Sequence, residues 1–141
     1  MPEVQPVILG QLVVETTDLE ITKSVGDPPV NIVSSTDPFD VALTFQGQPG
    51  LPVWEFLKNI NQQFRIRYFA ESIGPGTNDG SLGQRVGNLT VGRDIYTGPQ
   101  TTFTVPPNTL QPGVYRLACQ ISFPPFPGMA GFFEGTLLEV I

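Results

Sequence analysis

The residue types that most enzymes use for acid, base or nucleophilic catalysis are scarce in this chain. Its 141 residues include no histidine. This absence excludes serine–histidine and cysteine–histidine nucleophile systems and most zinc sites. The single cysteine, Cys119, falls on the inward side of an alternating segment, which indicates a buried small side chain rather than an activated thiolate. One cysteine also leaves no partner for an intramolecular disulfide.

Paired carboxylates are a further catalytic option, because a glycosidase needs two of them. The available carboxylates are spread along the chain: Glu71, Asp79, Glu134 and Glu139. Their spacing selects no pair, so ordinary solvated carboxylates explain them. A serine–lysine pair is not formed by Lys23 and Ser24, because neighbours on a strand point to opposite faces. We therefore predict that the protein is not an enzyme and has no catalytic residues and no cofactor.

Phosphate and metal sites also lack their usual patterns. Residues 74–83, GPGTNDGSLG, lead into β-like sequence rather than into a helix, so we interpret them as a polar loop and not as a phosphate loop. Aspartates lie in predicted loops or at strand ends, at Asp18, Asp37, Asp40 and Asp79. They form no DxDxDG-like cluster, and we predict no metal site, although a calcium site at separate aspartates stays open.

The charge of the chain limits its partners. Seven basic and thirteen acidic residues give a net charge of −6, which disfavours nucleic acids and anionic membranes. No apolar run approaches the ~18 residues of a membrane span. The N-terminal stretch has no basic region and is flanked by Glu3 and Glu15, which argues against a signal peptide. We expect a cytoplasmic protein, with export by another route left open.

The elements that position these residues are predicted to be short strands. Fifteen glycines and fifteen prolines punctuate β-rich runs, which is typical of a sandwich or barrel. We predict one domain over 1–141, an all-β antiparallel sandwich of seven to nine strands. One short helix is predicted near 52–60, where apolar residues follow Pro52 at helical spacing. Strands are expected at 7–16, 19–24, 31–34, 39–46, 64–71, 89–96, 101–105, 110–123 and 132–141.

Alternation of apolar and polar residues predicts which side chains face the core. The expected core residues are Val41, Leu43, Phe45, Ile66, Tyr68, Phe103, Leu117, Cys119 and Ile121. Arg65 and Arg67 are expected on the outward side of their strand, together with Phe69 and Glu71. This outward side is either a solvated sheet face or part of an interface.

A segment near the C-terminal third resembles a known family of sandwich modules. Leu110, Pro112, Gly113 and Tyr115 form a Leu-x-Pro-Gly-x-Tyr pattern, which resembles immunoglobulin-like and fibronectin type III-like domains. The resemblance implies that Tyr115 holds a corner through a hydroxyl bond to the backbone near Leu110. The cysteine pair of those families is absent. The resemblance implies an architecture and no specific function.

Aromatic residues not needed for the core are the last candidates for binding. On residues 121–136, ISFPPFPGMAGFFEGT, a phase change of the returning strand predicts a bulge at Gly135. Phe126, Met129 and Phe132 are then left on a proline-stiffened loop. They either cap one end of the sandwich or form a contact site for a partner. Trp54 either plugs the sandwich end or stacks on a sugar or small ligand.

The sequence therefore favours a non-enzymatic interaction or structural module that binds a protein partner or further copies of itself. The candidate contact surface is the loop 123–133. The alternative is a β-sandwich that binds a carbohydrate or small ligand, with Trp54 as the stacking residue.

Overall fold

The fold is described by a computed structural model. It describes residues 14–23, 28–74 and 79–141, and for residues 14–18, 127–132 and 134 it describes the backbone alone. Most of the predicted strand 7–16 lies outside this range.

Nine strands and one α-helix make up the described part of the chain. In chain order they are β1 (Val14–Thr22), β2 (Ile32–Val33), β3 (Phe39–Gly47), α1 (Pro52–Asn59), β4 (Gln63–Ser72), β5 (Gly80–Asn88), β6 (Ile95–Tyr96), β7 (Thr102–Val105), β8 (Gly113–Phe123) and β9 (Phe126–Val140). A short 3-10 turn, Gly98–Thr101, precedes β7. The strands form two sheets that enclose the core, so the predicted β-sandwich with seven to nine strands and one short helix is confirmed.

The two sheets differ in how they are built. In the four-stranded sheet, β3 pairs antiparallel with β1 on one side, and with β7 and β6 on the other. The five-stranded sheet has the order β2-β9-β8-β4-β5, and only the short β2–β9 pair is parallel. Helix α1 follows β3 in one sheet and precedes β4 in the other, so it lies at one end of the sandwich.

The core lies between the sheets where alternation predicts it. Eight of the nine expected core residues are buried, and Phe103 is partly buried against the same cluster. At the α1 end the core is aromatic. The rings of Phe45 and Tyr96 stack with centroids 5.2 Å apart, and Phe64 meets Phe45 edge-on at the same distance. Such ring pairs contribute beyond the area that they bury.

Tyr115 forms the corner that the resemblance implies. Its side chain is buried at the start of β8, and its hydroxyl donates a 2.6 Å hydrogen bond to the carbonyl of Gln111. Leu110, next to that carbonyl, is buried as well. The expected bond to the backbone near Leu110 is confirmed.

Some strand predictions are wrong. The predicted loop 74–83 is too long, because β5 begins at Gly80. The predicted strand 89–96 is reduced to the two residues of β6. The predicted strand 19–24 is the second half of β1 and ends at Thr22.

Candidate interaction surface

The predicted contact segment 123–133 belongs to the β8–β9 hairpin. Pro124 and Pro125 form its turn, and Phe123 at the end of β8 pairs with Phe126 at the start of β9. The prediction of a loop over 123–133 is wrong from Phe126 onwards, because Pro124 and Pro125 suffice to reverse the chain and β9 begins at Phe126. Beyond them the backbone of β9 pairs again with β8 from residue 130 onwards.

The three predicted contact residues all lie on β9. Phe126 is partly buried and packs against the hydrophobic core. The backbone of Phe132 pairs with Gln120, whereas Met129 lies where the register between the two strands shifts. The side chains of Met129 and Phe132 lie outside the described part of the chain. A contact role for the three residues therefore remains a prediction.

A β-bulge interrupts β9 at its centre. Arg116 of β8 pairs with Leu137, but Ala118, two residues on, pairs with Glu134. The returning strand thus contains one extra residue at this point, which confirms the bulge predicted at Gly135.

The bulge brings the edges of the two sheets together. A Cβ atom on Gly135 would lie 2.1 Å from Cδ2 of Leu19 in β1, so a side chain there would collide with Leu19. On either side of the bulge Phe133 packs against the core, and Leu138 and Val140 are buried. The extra residue thus keeps the apolar side chains inward along the strand.

Along most of β9, no described strand pairs with the edge that faces away from β8. β2 pairs with Glu139 and Val140 alone. Within the described ranges no other strand pairs with β9 on that side. Residues 126–133 of β9 include no charged residue. Strand edges are usually protected by charges or coverage, and an uncharged unpaired edge accepts another strand.

Trp54 lies inside the sandwich and not on its surface. Its side chain is 0% exposed. Its indole N–H donates a 2.8 Å hydrogen bond to Oδ1 of Asp94, and its ring meets that of Tyr96 edge-on. A ring without an exposed face offers no platform for a sugar, so the structure places Trp54 as the plug of the sandwich end. The stacking role predicted as the alternative does not fit this placement.

An ionic cluster surrounds the edge of the Trp54 ring. Lys58 is 5% exposed, and its Nζ lies 2.6 Å from Oδ1 of Asp94 and 2.9 Å from Oε2 of Glu55. The hydrogen bond with Asp94 raises the pKa of Lys58 above its ordinary value. The bond from Lys58, and then that from Trp54, lowers the pKa of Asp94, while Lys58 also lowers the pKa of Glu55. The cluster fastens α1 to the loop between β5 and β6.

Two arginines on β4 differ from the buried and bonded Lys58. Arg65 and Arg67 lie on the outward side of the strand, as predicted, beside Ser122 and Gln120 of β8. In the described part of the chain neither side chain has a hydrogen-bond or salt-bridge partner, and Nε of Arg65 is screened from solvent without one. We name this surface the arginine face, formed by Arg65, Arg67 and the partly buried Phe69.

The cysteine and carboxylate residues considered for catalysis or metal binding form no cluster in the described part of the chain. Cys119 is buried, and burial raises the pKa of its thiol to about 12, so it stays protonated at neutral pH. Among the described residues no three histidine, cysteine, aspartate or glutamate side chains come together as metal ligands. No helix in the same residues is long and apolar enough to cross a membrane.

Comparison with known proteins identifies no family for this chain. No family model matches the sequence, and no curated protein does. Among solved structures, the CARDB domain of the PF1109 protein from Pyrococcus furiosus, solved in complex with di-metal ions, is similar with a TM-score of 0.42. It is 13% identical, and the match covers 92% of this chain and 93% of that one. The β-sandwich assignment rests on the strand pairing described above.

Proposed function

We propose that this protein is a non-enzymatic interaction module, which contacts a protein partner or another copy of itself through residues 123–133. The observation that carries the proposal is the edge of β9 over residues 126–133, which includes no charged residue and pairs with no described strand other than β8. An incoming strand there would gain backbone hydrogen bonds along the edge, the mode known as β-augmentation. Phe126, Met129 and Phe132 would supply the apolar contacts of the same surface.

The chemistry of the chain supports a role without catalysis. The sequence has no histidine, and its one thiol is buried and protonated. Trp54, the aromatic residue best suited to stack on a sugar, is buried. Binding at a preformed strand loses little conformational freedom, which favours affinity from a small surface.

A lysine at the edge tests the proposal. Ala130→Lys places a charge on β9, at the residue that pairs with the partly exposed Ser122. Charged strand edges resist the addition of another strand. We expect this variant to lose self-association in sedimentation velocity, or to lose the partner that immobilised wild-type protein retains. Thr136→Lys, on the exposed part of β9 beyond the bulge, is the matched control and should behave like wild type.

A double variant tests whether the side chains of Phe126 and Met129 contribute to binding. Phe126→Ser with Met129→Ser should weaken association with a modest loss of stability if these residues form a contact. A loss of about 2–4 kcal/mol in the free energy of unfolding, as for buried large side chains, would instead identify them as a cap. Unaltered binding by both this variant and Ala130→Lys would rule out the β9 surface.

A further inference from the structure

The edge of β9 that faces away from β8 is bounded at both ends. Pro127 has no backbone N–H to donate to another strand. At the other end Gly135 lies against Leu19 of β1, where a Cβ atom would come within 2.1 Å of the Leu19 side chain. Residues 128–133 between these limits include no charged residue, and no described strand other than β8 pairs with them. This stretch of the edge is therefore suited to a short, uncharged strand.

A segment of matching length and composition precedes β1 in the sequence. Residues 1–13 lie outside the described part of the chain. Among them, residues 7–13 read VILGQLV and include no charged residue. They belong to the strand that the sequence predicts over 7–16. A strand that joins a sheet edge gains backbone hydrogen bonds, so this segment is a suitable occupant of the β9 edge.

The directions of β1 and β9 decide which copy can supply the segment. β3 and β8 end at the α1 end of the sandwich, and β1 and β9, which pair antiparallel with them, begin there. The two strands thus run in the same direction, with Leu19 level with Gly135. At an equal rise per residue, residues 14–17 are level with residues 130–133. To cover that part of the edge, residues 14–17 of the same copy would have to leave β3, with which they pair in the other sheet.

We propose that residues 7–13 of one copy pair with residues 128–133 of β9 in a second copy. The second copy approaches from outside the sandwich, so its segment can reach the edge while its own β1 stays paired with β3. The same segment of the first copy can return to the second, which makes the contact two-fold and closes it as a dimer. The inference rests on the proposed function of the β9 edge and names the strand that this edge accepts.

Cross-linking of two single-cysteine variants tests which copy supplies the strand. Leu9→Cys and Ala130→Cys are made in separate full-length chains, mixed and treated with a flexible bismaleimide. The native Cys119 is buried and its thiol stays protonated, so it does not react. We expect a cross-linked dimer from the mixture and little from either variant alone. A cross-link within one chain of the double variant, in place of one between chains, would overturn the proposal.

Charges in the segment test whether it carries the association. Ile8→Lys with Leu12→Lys places two charges on one side of the predicted strand. The change should weaken self-association at least about tenfold in sedimentation equilibrium, because charged strands resist edge pairing. Val4→Lys with Gln5→Lys is the matched control, since it adds the same charge before Pro6 and outside the predicted strand. Circular dichroism and the denaturation midpoint establish that the variants are folded.

The outcomes separate this inference from the proposed function. Association abolished by Ala130→Lys but unaffected by Ile8→Lys with Leu12→Lys would overturn the inference and leave the β9 edge as the contact for another strand. A wild-type monomer at all concentrations would also overturn it, and the proposed function would then depend on a retained partner that Ala130→Lys releases. Association unaffected by either variant would overturn both.

Discussion

Two groups of basic side chains lie seven residues apart in the sequence and have opposite surroundings. Lys58 at the end of α1 is buried and bonded to Asp94 and Glu55. Arg65 and Arg67 on β4 lie on an open sheet face without a partner in the described part of the chain. A buried charge must be compensated inside its own chain, whereas a surface charge is satisfied by water or by another molecule. The difference assigns Lys58 to the stability of the fold.

The largest effect should come from removing the plug beside Lys58. Trp54→Ala deletes a fully buried indole and its bond to Asp94, and it should lower the free energy of unfolding by about 3–5 kcal/mol. Chemical denaturation measures the change. Trp54→Phe keeps most of the ring and loses the N–H donor, so it should cost less. Equal losses for the two variants would show that the bond to Asp94, and not the packing, dominates.

A neutral internal group extends the comparison. Tyr115 is buried like Lys58 but has one uncharged hydrogen bond, to the carbonyl of Gln111. Tyr115→Phe should therefore cost about 0.5–1.5 kcal/mol, the net value of such a bond. An unchanged denaturation midpoint would mean that the corner bond contributes nothing to the folded state.

The ionic cluster should make stability depend on pH. The pKa of Asp94 is lowered in the folded protein. Its contribution is therefore present above the ordinary pKa of 3.8 and is lost as the pH falls through the lower folded value. The raised pKa of Lys58 has the opposite sign: its contribution is present below 10.5 and is lost as the pH rises through the higher folded value.

Lys58→Met isolates this effect. The variant keeps a side chain of similar length but removes the charge that lowers the pKa of Asp94. The difference in denaturation midpoint between wild type and variant should be largest near neutral pH and should shrink below pH 3.8. A difference that stays constant from pH 2 to 7 would contradict an electrostatic role for the cluster.

The smallest effect on stability should come from the arginine face. Arg67→Ala removes an exposed cation without a partner among the described residues, so the free energy of unfolding should change by no more than about 0.5 kcal/mol. A stability loss as large as that of Tyr115→Phe would mean that Arg67 does have a role within its own chain, and the contrast with Lys58 would fail.

Alternation in the sequence was enough to predict the central strands. Val41, Leu43 and Phe45 of β3 and Leu117, Cys119 and Ile121 of β8 all face inward as their spacing predicts. The helix was predictable because Pro52 precedes apolar residues at helical spacing. These signals are local, because each segment contains the alternation or helical spacing that predicts its own structure.

β5 was not predicted because its glycines leave space for aromatic rings that are distant in the sequence. A Cβ on Gly83 would lie 2.2 Å from the ring of Phe103, and one on Gly87 would lie 2.5 Å from the ring of Phe64. In the sequence such glycines resemble a loop, and only the fold shows which rings occupy their space. The same limit applies to the arginine face: alternation predicted that Arg65 and Arg67 point outward, but whether a described side chain bonds to them depends on strands far away in sequence.

The parallel contact between β2 and β9 has a consequence for biosynthesis. It pairs Ile32 with Glu139, so more than a hundred residues are translated between the two partners. Until β9 has left the ribosome, β2 has no strand to join and one side of β8 is open. Closure of distant strand pairs is slow. During this interval the nascent chain exposes an unpaired edge of β8, and unpaired strand edges make incompletely folded chains prone to aggregate.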